Sequence, residues 1–288
     1  MGIVESLVRK RIHMTGMQRV GLAMVVVSGL AGVVGTAERV RAEDLTIGAA
    51  HSLKAPFQEI LPMFEKEYGA TVHVIYGPSH TLRRQIEKGA PIDLFLPGAV
   101  EELEKLQKKG LTLNGGPRIY AQTSLVLVMS ATSHATPIAF RDVLPNRSTR
   151  IALGDPKTSE LGEITARALT KLDPAYRTHS RFLQAQHSED IVNLVHAGLA
   201  DVGIVYRVDA INSGPVRIID EAPAGTHMPV QFGEAVVWTC RNASLPVAEE
   251  FLDFMMSPRI QKLLLKYGFE STALNGSPAV VSSMKHEP

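Results

Sequence analysis

The sequence of 288 residues has one cysteine, one tryptophan and almost no net charge, with 30 lysine and arginine residues against 29 acidic ones. A single cysteine excludes an intramolecular disulfide framework and a cysteine-rich metal cluster. A net charge of +1 excludes a nucleic-acid binder built on a large basic surface. Because 45% of the residues are hydrophobic, a disordered chain is excluded as well. The composition predicts a globular protein with one large or two ordinary domains.

Common catalytic motifs are missing too. The sequence has no G-x-S-x-G elbow, H-E-x-x-H pair, Walker loop or G-x-G-x-x-G turn. His51-Ser52 and Ser79-His80 place a histidine beside a serine, but a nucleophile and its base have to meet in space with a third group that orients the base. Sequence neighbours seldom do so, and we therefore predict that the protein is not an enzyme.

The N-terminus has the pattern of a secretory signal. Basic residues up to Arg19 precede an apolar run over 20–34, and Val40-Arg41-Ala42 follows. The apolar run is short for a hydrocarbon core of about 30 Å. We predict that residues 1–42 are a signal peptide cleaved after Ala42, the alternative being a retained membrane anchor. The exported chain then carries 24 basic and 27 acidic residues.

The rest of the chain alternates apolar strand patterns with amphipathic helix patterns, which is typical of α/β proteins with mostly parallel sheets. Two α/β lobes are therefore expected. The predicted strands are 45–50, 71–76, 92–96, 124–129, 150–154, 201–206, 216–220 and 234–238, and the main predicted helices cover 159–172 and 188–197 and begin near 245 and 257.

Three segments place small hydroxyl residues between the end of a strand and the start of a helix: 50–52, 77–81 and 154–159. Ligands of open α/β sheets bind outside the carboxyl ends of the strands. Unpaired N–H groups at a helix start favour an anion, and a serine hydroxyl adds a neutral donor. Each segment is either a plain helix cap or part of a shared anion site. A third interpretation is a transition-metal site in which His51, His80, Glu160 and Tyr206 converge from different loops.

Several segments together resemble one known family, the periplasmic molybdate-binding proteins of ABC importers. The similarity covers about 45–269, and its most specific part is GPSHTLRRQIEKGAPIDLFLPG at 77–98. The other matching segments are AAHSL (49–53), SLVLVM (124–129), ALGDP (152–156), SEDIVNLVHAGLADVGIVYRVDA (188–210) and SPRIQKLLLKYGF (257–269).

The resemblance implies a two-lobed type II periplasmic binding protein fold with a ligand cleft between the lobes. The first lobe would hold 43–121 and 226–288, and the second 122–225. It also implies that a tetrahedral oxyanion is held by hydrogen bonds alone, without a further cofactor. The implied donors are Ser52 and Ser79 from the first lobe, the N–H groups of Leu161 and Ile191 from the second, and the Tyr206 hydroxyl.

Three residues depart from the family pattern: His51 and His80 replace small residues, and Glu160 stands where proline is usual, directly before Leu161. A carboxylate in a cleft that excludes water as it closes would repel a dianion. Glu160 therefore either points outward, where a helix start favours negative charge, or takes part in ligand binding. Protonated His51 or His80 would offset its charge and make binding depend on pH.

The sequence thus predicts a monomeric periplasmic solute-binding protein that captures molybdate or tungstate and delivers it to an ABC permease in the inner membrane. No nucleic acid is expected as a partner. The alternatives within this class are another oxyanion, or a transition-metal cation bound through His51, His80, Glu160 and Tyr206. Outside it, the alternatives are a periplasmic sensor or an enzyme on the same scaffold.

Overall fold

The computed structural model of the protein describes residues 44–176 and 182–272. The predicted signal peptide, residues 1–42, lies outside these ranges. Within them, none of the helices combines the length and the apolar character that crossing a membrane requires.

Strands and helices alternate along the chain, as the sequence pattern indicates. The strands of the described residues are β1 (Asp44–Ala49), β2 (Thr71–Tyr76), β3 (Leu94–Leu96), β4 (Arg118–Thr123), β5 (Leu125–Ser130), β6 (Ile151–Gly154), β7 (Phe182–Ala185), β8 (Val202–Tyr206), β9 (Val216–Glu221) and β10 (Val230–Val236). The helices are α1 (Lys54–Tyr68), α2 (Ser79–Glu87), α3 (Glu101–Gln107), α4 (Glu160–Leu172), α5 (Ser188–His196), α6 (Arg207–Ile211), α7 (Leu245–Met255) and α8 (Pro258–Lys266). A 3-10 turn, His51–Leu53, leads into α1.

The strands form two five-stranded sheets, with the orders β2-β1-β3-β10-β4 and β7-β6-β8-β5-β9. In both sheets the first three strands are parallel and the fourth is antiparallel to its neighbours. Because β4 and β9 in turn run antiparallel to β10 and β5, four of the five strands in each sheet point in the same direction, as expected for mostly parallel sheets. The antiparallel strands β10 and β5 enter from the other sheet, without the βαβ crossover that makes neighbouring strands parallel.

The chain passes between the sheets twice. It leaves the first sheet at Thr123 and enters the second at Leu125, and it returns between Glu221 and Val230. The first sheet thus takes β1–β4 and β10, and the second takes β5–β9. The precise lobe boundaries given above stay a prediction.

An aromatic cluster fixes α1 on the first lobe. The ring of Phe64 meets Phe251 and Phe254 of α7 edge to face, at centroid distances of 5.0 and 5.2 Å. Such pairs are worth about 0.5–1.5 kcal/mol beyond the burial of their surfaces. Because α1 continues directly from the 3-10 turn, this packing also fixes the backbone that bears Ser52.

Candidate functional site

A cleft of about 290 Å³ lies at the carboxyl ends of six parallel strands, β1–β3 of one sheet and β6–β8 of the other. Open α/β sheets place ligands at these strand ends. Helices α1 (through its 3-10 turn), α2, α4 and α5 all begin here, and their first residues line the cleft. Helix starts present N–H groups and partial positive charge, which favour an anion, although three carboxyl groups, Glu160, Glu189 and Asp209, also line the cleft.

The first junction carries Ser52 on the 3-10 turn. Neither this turn nor α1 has a side-chain cap, so Ser52 does not act as a helix cap. Its hydroxyl donates to the carboxyl group of Asp209, as does the Ser188 hydroxyl at the start of α5. These hydrogen bonds oppose the effect of burial, which raises the pKa of Asp209. Asp209 therefore joins the starts of α1 and α5 across the cleft.

The second junction carries Ser79, the first residue of α2, which is only 4% exposed. Its Oγ accepts a hydrogen bond from the Gly98 N–H at 3.0 Å. Its own proton is donated to the carboxyl group of Glu160. Ser79 is thus a cleft residue held from two sides, and it does not cap α2.

The third junction brings the start of α4 against the end of β6. Ser159 does cap this helix, because its Oγ accepts from the Gly162 N–H at 3.4 Å. A Cβ on Gly154 would lie 2.5 Å from the Gly162 nitrogen, so the close approach of strand and helix requires glycine. As a result, Leu161 lies in the cleft wall with its N–H group in the first turn of α4, where no intrahelical acceptor exists.

Tyr206 ends β8 and is 4% exposed. Its hydroxyl group is buried in the cleft wall and has no hydrogen-bond partner among the described residues. Burial, followed by the neighbouring Glu160 carboxyl, raises the pKa of Tyr206 well above its usual value, so the group stays a donor. A buried hydroxyl without a partner is costly, and a bound ligand would supply the missing acceptor.

Glu160 faces the cleft, which decides between the two orientations left open by the sequence. Its Oε1 atom is buried and has no partner in the described ranges. Burial raises the pKa of Glu160 well above its usual value, and the nearby Glu102 and Glu101 carboxylates add to this rise. The Ser79 hydrogen bond and Lys105 oppose the rise.

Ile191 is not brought to the cleft. Ile191 belongs to α5, and its side chain is fully buried. Its N–H group donates to the His187 carbonyl at 3.2 Å, which is the first regular hydrogen bond of that helix. The residues of α5 that line the cleft are Ser188 and Glu189, whose N–H groups lie in the first turn and have no intrahelical acceptor.

His80 is also kept out of the cleft. It lines a separate pocket of about 80 Å³ behind Glu160, with Arg83 and Arg84 of the same helix. Within 44–176 and 182–272, no group of three or more histidine, cysteine, aspartate or glutamate side chains is arranged to hold a metal ion. The transition-metal interpretation therefore lacks its expected set of ligands, although His51, Glu160 and Tyr206 do share the cleft.

His51 contacts the opposite lobe. Its ring lies 4.2 Å from the ring of His187, centroid to centroid. Burial lowers the pKa of His51 to about 4, with further contributions from His187 and Lys54. Next to this pair, Lys54 Nζ lies 3.6 Å from Glu189 Oε2. Two contacts thus bridge the start of α1 and the start of α5.

Among the cleft residues that sequence reasoning missed are Gly98, His187, Ser188 and Asp209. His187 and Ser188 stand at the start of the predicted helix 188–197, but β7 before them lacks a clear strand pattern, so this fourth junction carries only the helix half of the signal. Gly98 and Asp209 act through tertiary contacts with Ser79 and Ser52, which no local pattern contains.

Comparison with known proteins agrees with this architecture. The family model described as bacterial extracellular solute-binding protein matches residues 45–270. Molybdate-binding protein ModA of Escherichia coli strain K12 is 30% identical over 230 residues, which are 78% of this chain and 88% of that protein. ModA of Haemophilus influenzae is 27% identical over 231 residues, 79% of this chain and 90% of that protein.

A solved structure of similar shape is the substrate-binding domain of a proposed molybdenum ABC transporter from Clostridium difficile. It is 27% identical, has a TM-score of 0.64, and the match covers 80% of this chain and all of that one. The chain therefore belongs to the family of bacterial extracellular solute-binding proteins. The two-lobed periplasmic binding protein fold and the resemblance to molybdate-binding proteins are confirmed. These relatives are solute-binding proteins and not enzymes, which supports the non-enzyme interpretation.

Proposed function

We propose that this protein captures molybdate or tungstate in the cleft and delivers the oxyanion to the permease of an ABC importer, acting as a monomer in the periplasm. The buried Tyr206 hydroxyl carries this proposal. It lies among helix starts without a partner in the described residues, so a ligand oxygen is the acceptor that the site lacks.

The proposed donors come from both lobes. Ser52 and Ser79 lie on the first lobe, and Leu161 and Tyr206 lie on the second. Each donor is neutral, so the site replaces the water shell of a dianion by oriented dipoles without a counter-ion. A ligand that bonds to both sides favours the closed arrangement of the lobes, which is the shape a permease would recognise.

Charges around the cleft favour this hydrogen-bonding mode over a salt bridge. Among the described lining residues the one lysine or arginine is Lys54, which already faces Glu189 at 3.6 Å. A cation site is disfavoured in turn, because His80 lies in another pocket and, among the described residues, no three histidine, cysteine, aspartate or glutamate side chains are arranged to hold a metal ion.

The Tyr206→Phe variant tests the proposal. Loss of a hydrogen bond to a charged oxygen costs about 1.5–3 kcal/mol, so the dissociation constant for molybdate should rise about tenfold or more. Tyr120→Phe is the matched control, because Tyr120 is also fully buried with an unpartnered hydroxyl but lies outside the cleft. Equal affinity of wild type and Tyr206→Phe would remove this hydroxyl from the site.

A further inference from the structure

Glu160 lines the proposed oxyanion site and separates it from the pocket that contains His80. Its Oε2 atom would lie 3.2 Å from a Cβ on Gly98, and Ser79 Oγ would lie 3.8 Å from the same point. The absence of a side chain at Gly98 therefore leaves the space in which this carboxyl group and the Ser79 hydroxyl meet. Oε1, the other oxygen, is buried and unpartnered within the described ranges.

Three basic groups near Glu160 are paired with other carboxylates. On α3, Lys105 pairs with Glu102, and Glu101 faces Arg167 of α4 at 3.5 Å. On α2, Arg83 pairs with Glu102, its Nε lying 2.5 Å from Oε2.

Four more charged or titratable groups share the pocket behind Glu160: His80, Arg84, Lys157 and Glu163. Among the described residues, none of these groups forms an ion pair with Glu160, and Tyr206 on the cleft side offers a hydroxyl and no positive charge. An ionised carboxylate here would thus be buried without a cation. Such a group avoids the cost of burial by holding its proton.

A protonated carboxyl group changes what the site can do. Its carbonyl oxygen accepts the Ser79 proton, and its hydroxyl oxygen becomes a donor. Oε1, which has no partner in the described ranges, is the oxygen left free to be that donor. The obstacle seen in the sequence, a negative charge facing a dianion, is then replaced by one more hydrogen bond to the ligand.

We propose that Glu160 binds the oxyanion as a neutral carboxyl group, with Oε1–H donating to a ligand oxygen. The complex then holds one proton more than the free dianion and ionised Glu160 together. This inference rests on the proposed function and deepens it. When Glu160 is ionised in the free protein, the proton comes from solvent on binding. Affinity should then fall about tenfold for each pH unit above the pKa of Glu160 in the free protein.

The Glu160→Gln variant distinguishes binding by a neutral donor from binding by an ionised carboxylate, because the glutamine amide keeps a donor and cannot ionise. The full-length protein is titrated with sodium molybdate between pH 6.5 and about 9.5, where molybdate stays a dianion. At pH 7, Glu160→Gln should bind within about fivefold of wild type, whereas Glu160→Ala should bind at least tenfold more weakly. Towards pH 9.5 the affinity of wild type should fall below that of Glu160→Gln. Glu163→Gln, an exposed carboxylate on the same turn, should keep the wild-type profile.

Two results would overturn the inference while leaving the proposed function in place: a tenfold or greater loss in Glu160→Gln at pH 7, or coinciding pH profiles of Glu160→Gln and wild type. The first of these results would show that the ionised carboxylate of Glu160 binds the ligand. Wild type that binds no molybdate at pH 6.5 contradicts the proposed function, and this inference with it.

Discussion

The His51 and His187 rings lie 4.2 Å apart, centroid to centroid, and connect the start of α1 to the start of α5 across the cleft. Two protonated imidazoles at this distance would repel each other, so the contact requires at least one neutral ring. The lowered pKa of His51, about 4, makes it the neutral partner near pH 7.

Stability should therefore decrease in mild acid. The pKa of His51 is about 4 in the folded protein and 6.5 in an unfolded chain. Between these values the unfolded chain binds more protons, so the free energy of unfolding falls as pH decreases from about 6.5 to about 4. Urea unfolding of wild type and His51→Gln at pH 7.5 and pH 5 measures this effect.

The variant should lose less stability than wild type between the two pH values. His196→Gln, at the exposed end of α5, serves as the control and should follow wild type. A pH dependence in His51→Gln as steep as that of wild type would show that His51 is not responsible.

Ser79→Ala should weaken molybdate binding by about 1–3 kcal/mol, or roughly five- to 150-fold. The variant removes a hydroxyl that bonds both the Gly98 N–H and the Glu160 carboxyl group. Calorimetric titration gives the affinity, and Ser133→Ala, in the loop after β5 and outside the cleft, is the control. Unchanged affinity in Ser79→Ala would exclude this serine from the site.

The ion pair between Lys54 and Glu189 should contribute little to the affinity for molybdate. Its side chains are 47% and 66% exposed, and such pairs contribute about 0–1 kcal/mol and are screened by salt. A double-mutant cycle with Lys54→Met and Glu189→Gln, read out as molybdate affinity, should give a coupling energy within that range. A coupling well above 1 kcal/mol would make this pair a main element of cleft closure.

Gly162→Ala should damage both stability and binding. The new Cβ would lie 2.4 Å from the Asp155 carbonyl carbon, so the start of α4 has to move away from β6. Overpacking of this kind costs about 1–3 kcal/mol, and it displaces the Leu161 N–H from the cleft. Thermal unfolding and molybdate titration together check the effect. Gly214→Ala, with no atom within 4 Å of the new Cβ, should behave as wild type.

The sequence predicts a strand or helix wherever a single segment has a clear hydrophobic pattern. β2 was predicted without error at 71–76, since its β-branched and apolar run is bounded by glycine on both sides. β4 and β7 were missed. β4 ends in the buried polar residues Gln122 and Thr123, and β7 is a four-residue strand without a fully buried residue. The start of β10 was placed four residues late because its early apolar positions alternate with polar ones.

The residues of the candidate site could likewise be predicted only where a local sequence pattern marks them. Local strand–hydroxyl–helix patterns located Ser52, Ser79 and the start of α4, all of which line the cleft. No local pattern could show that Glu160 turns inward, because the space that admits it is made by Gly98 in the loop after β3. Asp209 likewise gains its role from Ser52, which lies far from it in the sequence.

Calorimetric titration of the purified protein with molybdate at neutral pH, in excess sulfate, tests the central claim most directly. A cleft built from neutral donors of both lobes predicts tight one-to-one binding that sulfate does not displace. Absence of binding heat, together with thermal stabilisation by a divalent or ferric cation, would contradict the claim and assign the cleft to a cation.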